Sequence, residues 1–327
     1  DTNTELQVFT EHGKKASLLN FNPCVKELIA SVGTDHDLYA WNITDSSIVF
    51  KAKTEDQTYS LDWDAAGSLL GVMNKNKRIN IFDVRVSDQA TLSTDGHHAG
   101  RVQKFGFADG PYAFSSGFGT TGREVKLYDL RNFDKAVGIH KLDTMNGTLT
   151  NFYDGDTGLL YLYGKGEGTV HYLELKEGEI KQGNSYSSDT QQISMAFFPK
   201  RTMDYNSCEL ARAAKLTRDQ CHYVSFKYPR RNQGYAEEFY PECVTGEPSM
   251  TLDEWKAGEN KPLPRKKIID IENKFKSEVM QFEKKVVVEK KSVTMDVILE
   301  ENKVLKAQVS DLEKKLADLQ AQLDAKN

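Results

Sequence analysis

Four short stretches of the chain alternate an apolar residue with a second side chain and close on a large residue followed by an acid or amide. They are Leu38-Tyr39-Ala40-Trp41-Asn42, Ile79-Asn80-Ile81-Phe82-Asp83, Val125-Lys126-Leu127-Tyr128-Asp129 and Val170-His171-Tyr172-Leu173-Glu174. Alternation at every second residue places side chains on opposite faces of an extended strand. The closing positions 41, 82, 128 and 173 recur at close to the ~40–45 residues of a four-stranded propeller blade. One such pair is a weak signal; four in register predict a repeat array. Six residues before three of the large positions stand Asp35, Asn76 and Glu167, with Gly122 in the remaining unit. A polar side chain there suits a tight hairpin turn, where it bonds nearby backbone groups. The first unit carries the fullest polar set, His12, Ser31, Asp35 and Trp41. These are expected to form a buried network locking one blade against the next, because buried polar groups must satisfy one another.

A fifth unit is fainter. Residues 191–199 read as a strand, 206–216 as a helix, and Asp219 with the run 221–228 as a turn and strand. Blades bury their faces only against neighbours, and propellers contain four to eight of them. The chain begins at Asp1 and enters a strand-like run at once, so the expectation is an N-terminally incomplete ring. From 236 to 267 the pattern breaks at Gly246, Pro248, Gly258, Pro262 and Pro264, which reads as a connector. Phe239, Tyr240 and Trp255 in that stretch are expected to pack part of it back on the blades.

After Ile268 there is neither Gly nor Pro, and Leu305, Val309, Leu312, Leu316, Leu319 and Leu323 alternate at spacings of four and three. That is the a/d seam of a coiled coil, with Asn302 at an a position, where a lone amide fixes register at some cost in stability. An upstream seam through Phe275, Val279, Phe282 and Val286 is offset by two residues, predicting a local unwinding near 287–291. The predicted architecture is an all-β propeller at 1–235, an extension and linker at 236–267 and an α-helical coiled coil at 268–327.

Composition narrows the function. With 327 residues and a 39% hydrophobic fraction, the chain can build a sizeable core, and its net charge of −5 argues against a whole-chain nucleic-acid binder. Four scattered cysteines form no CxxC pair, so neither a zinc site nor a disulfide framework is expected, and a cytoplasmic setting is. No apolar run approaches a membrane span. The seven histidines show no metal spacing, and no GxSxG elbow is present. His12 and His98 are expected to serve blade packing. Gly164-Lys165-Gly166-Glu167-Gly168 imitates a phosphate loop, but a strand pattern follows it where a helix N-terminus is needed, so a hairpin turn is expected.

Beyond WD repeats in general, the chain resembles the coronin family. The first motif that carries the resemblance is Leu162-Tyr163-Gly164-Lys165-Gly166-Glu167, continuing through Gly168-Thr169-Val170-His171-Tyr172-Leu173-Glu174. Next in order come Phe197-Phe198-Pro199-Lys200-Arg201, Cys208-Glu209-Leu210-Ala211-Arg212 and Tyr228-Pro229-Arg230-Arg231. Glu237-Glu238-Phe239-Tyr240-Pro241 and Asp253-Glu254-Trp255 complete the set. Their order and spacing match the last two blades and the C-terminal extension of that family. The resemblance implies a seven-bladed propeller of which about five blades are present, followed by a variable linker and a coiled coil. It implies binding to filamentous actin through the propeller, self-association through the coiled coil, and regulation of the complex that nucleates branched actin filaments. It places the protein in the cytoplasm, on the actin cytoskeleton. A basic surface that the family carries on its first blade has no counterpart in this sequence.

Actin filaments are acidic, so basic loops are the candidate contacts: Lys200, Arg201, Arg230, Arg231 and Lys165, all within family motifs. Lys75, Lys77 and Arg78 form another basic cluster, while Arg212 is expected to pair with Glu209 inside the fold. The bland reading of each is a solvated surface charge. The reading is therefore a non-catalytic, cofactor-free filament-binding and cross-linking homo-oligomer. The rivals are a generic WD-repeat scaffold without actin affinity and a propeller enzyme.

Overall fold

Residues 7–229, 240–268 and 270 are described by the structure, a computed structural model. The four periodic stretches each supply the third strand of an antiparallel sheet. The first sheet joins β1 (Ala16–Phe21), β2 (Leu28–Gly33), β3 (Asp37–Asn42) and β4 (Ile48–Lys53). The second joins β5 (Thr58–Trp63), β6 (Leu69–Asn74), β7 (Arg78–Asp83) and β8 (Leu92–Asp95). The third joins β9 (Lys104–Phe107), β10 (Tyr112–Phe118), β11 (Arg123–Asp129) and β12 (Asn132–Asp143). In the fourth, β13 (Leu149–Asp154), β14 (Leu159–Gly164) and β15 (Glu167–Lys176) are followed by β16 (Glu179–Lys181) and β17 (Ser185–Gln192), both of which pair with β15. The fifth has three strands, β18 (Ser194–Phe197), β19 (Glu209–Leu216) and β20 (Cys221–Lys227).

The second strands β2, β6, β10 and β14 are buried on both faces because neighbouring sheets cover them, whereas β11, β15 and β19 mix buried with half-buried positions. Trp41, Phe82, Tyr128 and Leu173 all lie in the core. The apolar clusters straddle sheets. Leu28, Ala30 and Leu38 of the first sheet share a cluster with Leu61, Trp63 and Leu70 of the second, and Met73, Ile79 and Ile81 of the second meet Phe105 and Phe107 of the third.

Leu61 and Trp63 of β5 and Phe105 and Phe107 of β9 are thus covered by the preceding sheet. At the same two positions of β1, Leu19 and Phe21 remain 67% and 63% exposed. The first sheet presents an open apolar face. At the far end of the array, Tyr223 of β20 is 75% exposed.

The fifth unit corrects one expectation. Residues 206–216 are not a helix: a short 3-10 turn, Tyr205–Ser207, is followed by β19. Alanine-rich sequence favours helix by propensity, but tertiary packing overrides it here. Ala211 and Ala213 are buried against Tyr161, Tyr163 and the rings of Phe197 and Phe226, which leave room for a methyl group and little more. The hairpin readings hold. Asp35 accepts from the Asp37 N–H at 3.3 Å and Asn76 from the Arg78 N–H at 3.1 Å, and Lys165-Gly166 turns β14 into β15. Glu167 is the exception, since its carboxylate serves an ion pair described below.

The connector packs back on the blades. It holds a two-stranded ladder, β21 (Cys243–Val244) with β22 (Arg265–Lys266), and a short helix α1 (Leu252–Lys256) closed by a capping box between Thr251 and Glu254. Met250, Leu252 and Trp255 enter the core formed by Cys24, Val25, Trp63 and Leu70. The Trp255 indole N–H donates to the Gly67 carbonyl at 2.8 Å. Tyr240 is buried with Met203, Cys243 and Ile268. The predicted coiled coil, with Asn302, Leu305, Val309, Leu312, Leu316, Leu319 and Leu323, lies outside the described residues, as do Arg230, Arg231 and Phe239.

Candidate functional site: buried relays and a basic rim

The four polar residues singled out in the first unit meet. The Trp41 indole N–H donates to Ser31 Oγ at 2.8 Å, and Ser31 Oγ lies 2.7 Å from His12 Nε2. The Asp35 carboxylate can only accept, so His12 Nδ1 donates to it at 3.2 Å, and in the neutral ring Nε2 is then left to accept from the Ser31 hydroxyl, whose oxygen takes the indole N–H. Burial would raise the Asp35 carboxyl, but the Asp37 N–H, the His12 ring and the Lys14 N–H outweigh it and hold the group below its ordinary value.

A second relay of the same order lies in the third unit, and here the histidine expectation needs correcting. His98 is exposed, whereas His97 is buried. Ser115 Oγ stands 2.8 Å from His97 Nε2 and 3.1 Å from the Tyr128 hydroxyl, and His97 Nδ1 stands 3.0 Å from Glu124. Burial depresses His97 to about 4 despite the Glu124 carboxylate, so the ring is neutral at physiological pH. Burial likewise pushes the Tyr128 hydroxyl up to about 12. The sequence signal was spacing: His12 precedes Ser31 by 19 residues and His97 precedes Ser115 by 18. Serine, histidine and acid stand in the hydrogen-bond order of a hydrolytic triad. Ser115 is wholly buried, however, and its oxygen already holds Tyr128, so no substrate atom can reach it. The relay locks the blade.

The positions of Ser31 and Ser115 are filled by Val72 and Leu162 in the second and fourth units, which carry Phe82 and Leu173 at the Trp41 position. Those units hold no relay of this kind. The fourth is instead tied to the third by Arg123, whose guanidinium is buried. It donates to Asp143 at 2.7 and 2.5 Å, to Glu167 at 2.6 and 3.0 Å, and to the Gly147 carbonyl at 3.1 Å. His171 adds a contact to Asp143 at 3.2 Å. Burial alone would raise the Asp143 carboxyl; Arg123 and the Met145 N–H reverse that and lower it. Asp62 bridges three units and forms no ion pair among the described residues. Its carboxylate accepts from Asn20 at 3.1 Å and from the Phe107 N–H at 3.0 Å, and burial pushes it up to about 6.

The basic candidates separate. Lys165 is exposed at the tip of the β14–β15 hairpin and forms no ion pair among the described residues. Lys200 turns inward: its ammonium donates to the Leu210 carbonyl at 2.6 Å and pairs with Asp154 at 2.5 Å. That charge is spent inside the fold. Arg201 follows it in the 3-10 turn Lys200–Thr202. Arg212 pairs with Glu209 as expected, though both stand on strand β19 rather than on a helix. Its Nε lies 2.8 Å from the carboxylate, and Ser225 donates to the same group. Arg78 is held by Asp95 and Ser93, leaving Lys75 as the exposed member of its cluster.

Comparison with known proteins agrees with this arrangement. A family model described as a type of WD40 repeat matches residues 221–263. Coronin-2A of Bos taurus is 32% identical over 264 residues, covering 76% of this chain and 50% of that protein. Coronin-A of Dictyostelium discoideum is 29% identical over 273 residues, covering 82% of this chain and 60% of that protein. The crystal structure of the WD40 domain of Toxoplasma gondii coronin superposes with a TM-score of 0.77 at 31% identity, over 79% of this chain and 68% of that one. The chain belongs to the coronin family. It spans about half the length of the curated coronins it matches. The WD40-type sheets described above are the coronin propeller fold; each relay ties together strands within one unit rather than one blade to the next, while the Arg123 cluster joins the third unit to the fourth.

Proposed function

We propose that the chain acts as a non-catalytic actin-filament-binding and cross-linking protein of the coronin type. The observation that carries this reading is the match to a coronin WD40 domain in both sequence and backbone. The blade array is a rigid platform, and the filament contacts are the exposed hairpin cation Lys165 together with Arg201, Arg230 and Arg231. Lys200 has its charge committed to Asp154 and serves the fold. The heptad seam from Asn302 to Leu323 ties copies into a homo-oligomer, so weak individual contacts combine into avidity when linked sites reach one filament. The branched-filament nucleating complex is a second partner on the same reading, in the cytoplasm.

Co-sedimentation with filamentous actin tests it: the pelleted fraction should rise with actin concentration, fall with added salt because the contacts are electrostatic, and drop for Lys165→Glu. Pelleting that ignores actin concentration overturns the proposal and favours a WD-repeat scaffold with another partner. Removing residues 268–327 should leave a monomer by light scattering with weaker bundling; an unchanged particle mass would remove the coiled coil from the reading.

A further inference from the structure

The connection between β12 and β13, residues 144–148, contains Asn146-Gly147. Glycine is obligatory at 147, because a Cβ there would collide with Glu167 Oε1, and that carboxylate is fixed by Arg123. The residue before it is exposed. Arg101, seated over the Phe118 ring at 4.8 Å, reaches across the connection, and its Nη1 donates at 3.3 Å both to Asn146 Oδ1 and to the Asn146 main-chain carbonyl. The Gly147 N–H donates to no acceptor among the described residues.

We propose that Asn146 is a self-modification site at which the chain converts an asparaginyl amide to an aspartyl or isoaspartyl carboxylate. The Gly147 nitrogen, with no Cβ beside it to obstruct approach, attacks Asn146 Cγ. The N–Cγ bond forms, the Cγ–Nδ2 bond breaks, and the proton lost from Gly147 leaves with the amide as ammonia. Water then opens the cyclic imide at either carbonyl, giving aspartate or isoaspartate; one water enters and no oxidant is involved. Arg101 is a positioning residue that also favours the reaction: its guanidinium draws electron density from Cγ and meets the negative charge that gathers on Oδ1. The consequence reaches the core. An isoaspartyl link adds a methylene to the main chain directly before Gly147, whose carbonyl accepts from the buried Arg123. Conversion therefore loosens the joint between the third and fourth units.

The test uses the full chain, incubated at mildly alkaline pH and digested with trypsin, with fragment spectra localising the mass gain of an amide turned to an acid. Asn151 lies in the same tryptic fragment and serves as internal control. The expected result is conversion at Asn146 ahead of Asn151, slowed roughly threefold or more in Arg101→Met, which keeps an apolar cover over Phe118. Circular dichroism confirms that the variant is folded. Were Asn146 intact when a free peptide of residues 142–150 has half converted, the self-modification proposal would fall. An unchanged rate in Arg101→Met would overturn the assisting role of Arg101.

Discussion

Trp255 is the anchor that holds the C-terminal extension to the blades, and Trp255→Ala should be among the most damaging single substitutions in the chain. The indole is 1% exposed, among Cys24, Val25, Trp63 and Leu70. Truncating a buried Trp to Ala costs about 3–5 kcal/mol through lost transfer energy and the cavity left behind. The partner group adds to this. The Gly67 carbonyl accepts from both Trp255 Nε1 and Asn22 Nδ2, each at 2.8 Å, and loses one of its two donors. Trp255→Phe keeps most of the ring and forfeits only that bond, at roughly 1 kcal/mol. For a chain of this size each 1 kcal/mol moves the melting temperature by about 2–4 °C. Calorimetry should therefore place Trp255→Ala roughly 6–20 °C below the parent and Trp255→Phe within a few degrees of it. Gly67→Ala provides a cross-check: Gly67 has φ +68°, and a Cβ would collide with Asn22 Oδ1, so it too should destabilise, and the pair should be less than additive. An unchanged melting temperature in Trp255→Ala would show that the extension is not part of the folded core, and the argument for its docking would fail.

Glu167→Gln removes one of the two carboxylates that hold the buried Arg123 guanidinium, leaving Asp143 as its counter-charge and turning an amide N–H toward a donor, which should cost about 1–3 kcal/mol in urea titrations; no measurable loss would mean solvent already reaches the pair. Asp62 is protonated more readily in the fold than in the unfolded chain, about 6 against 3.8, so the stability it contributes is present at low pH and is lost as pH rises through about 6. Asp62→Asn should accordingly gain on the parent as pH rises through that window, and parallel urea midpoints across it would contradict the assignment. Leu19→Ser with Phe21→Ser should reduce aggregation by light scattering while shifting stability by about 0.5 kcal/mol or less, since both side chains are already exposed; a large stability loss would show that this face is covered.

Fold and site were legible to different degrees. The repeat spacing announced the blades because Trp41, Phe82, Tyr128 and Leu173 occupy one structural position, and the first relay was visible because all four of its members fit a known pattern. The Ala211–Ala214 stretch misled because local propensity says helix, while the packing that imposes a strand comes from Tyr161, Tyr163 and Phe226, remote in the chain. His97 was missed beside His98 because only burial separates them. Arg123 and Glu167 lie 44 residues apart, and nothing in either neighbourhood announces the other. Lys200 reads as a surface cation because its own neighbourhood carries no sign of Asp154, the distant residue that takes its charge.

In the first four units the relay serine and the hydrogen-giving ring occur together or not at all. Where Ser31 and Ser115 stand, the fourth member is a Trp or Tyr able to give a hydrogen; where Val72 and Leu162 stand, it is a Phe or Leu that has none to give. Such a position cannot drift alone: Ser31→Val would strand the Trp41 N–H and the His12 ring together, and Val72→Ser would bury a hydroxyl with nothing to receive it. Divergence among these repeats must therefore proceed by correlated replacement, and a blade grafted from one slot to another would carry its polar quartet as an indivisible inheritance.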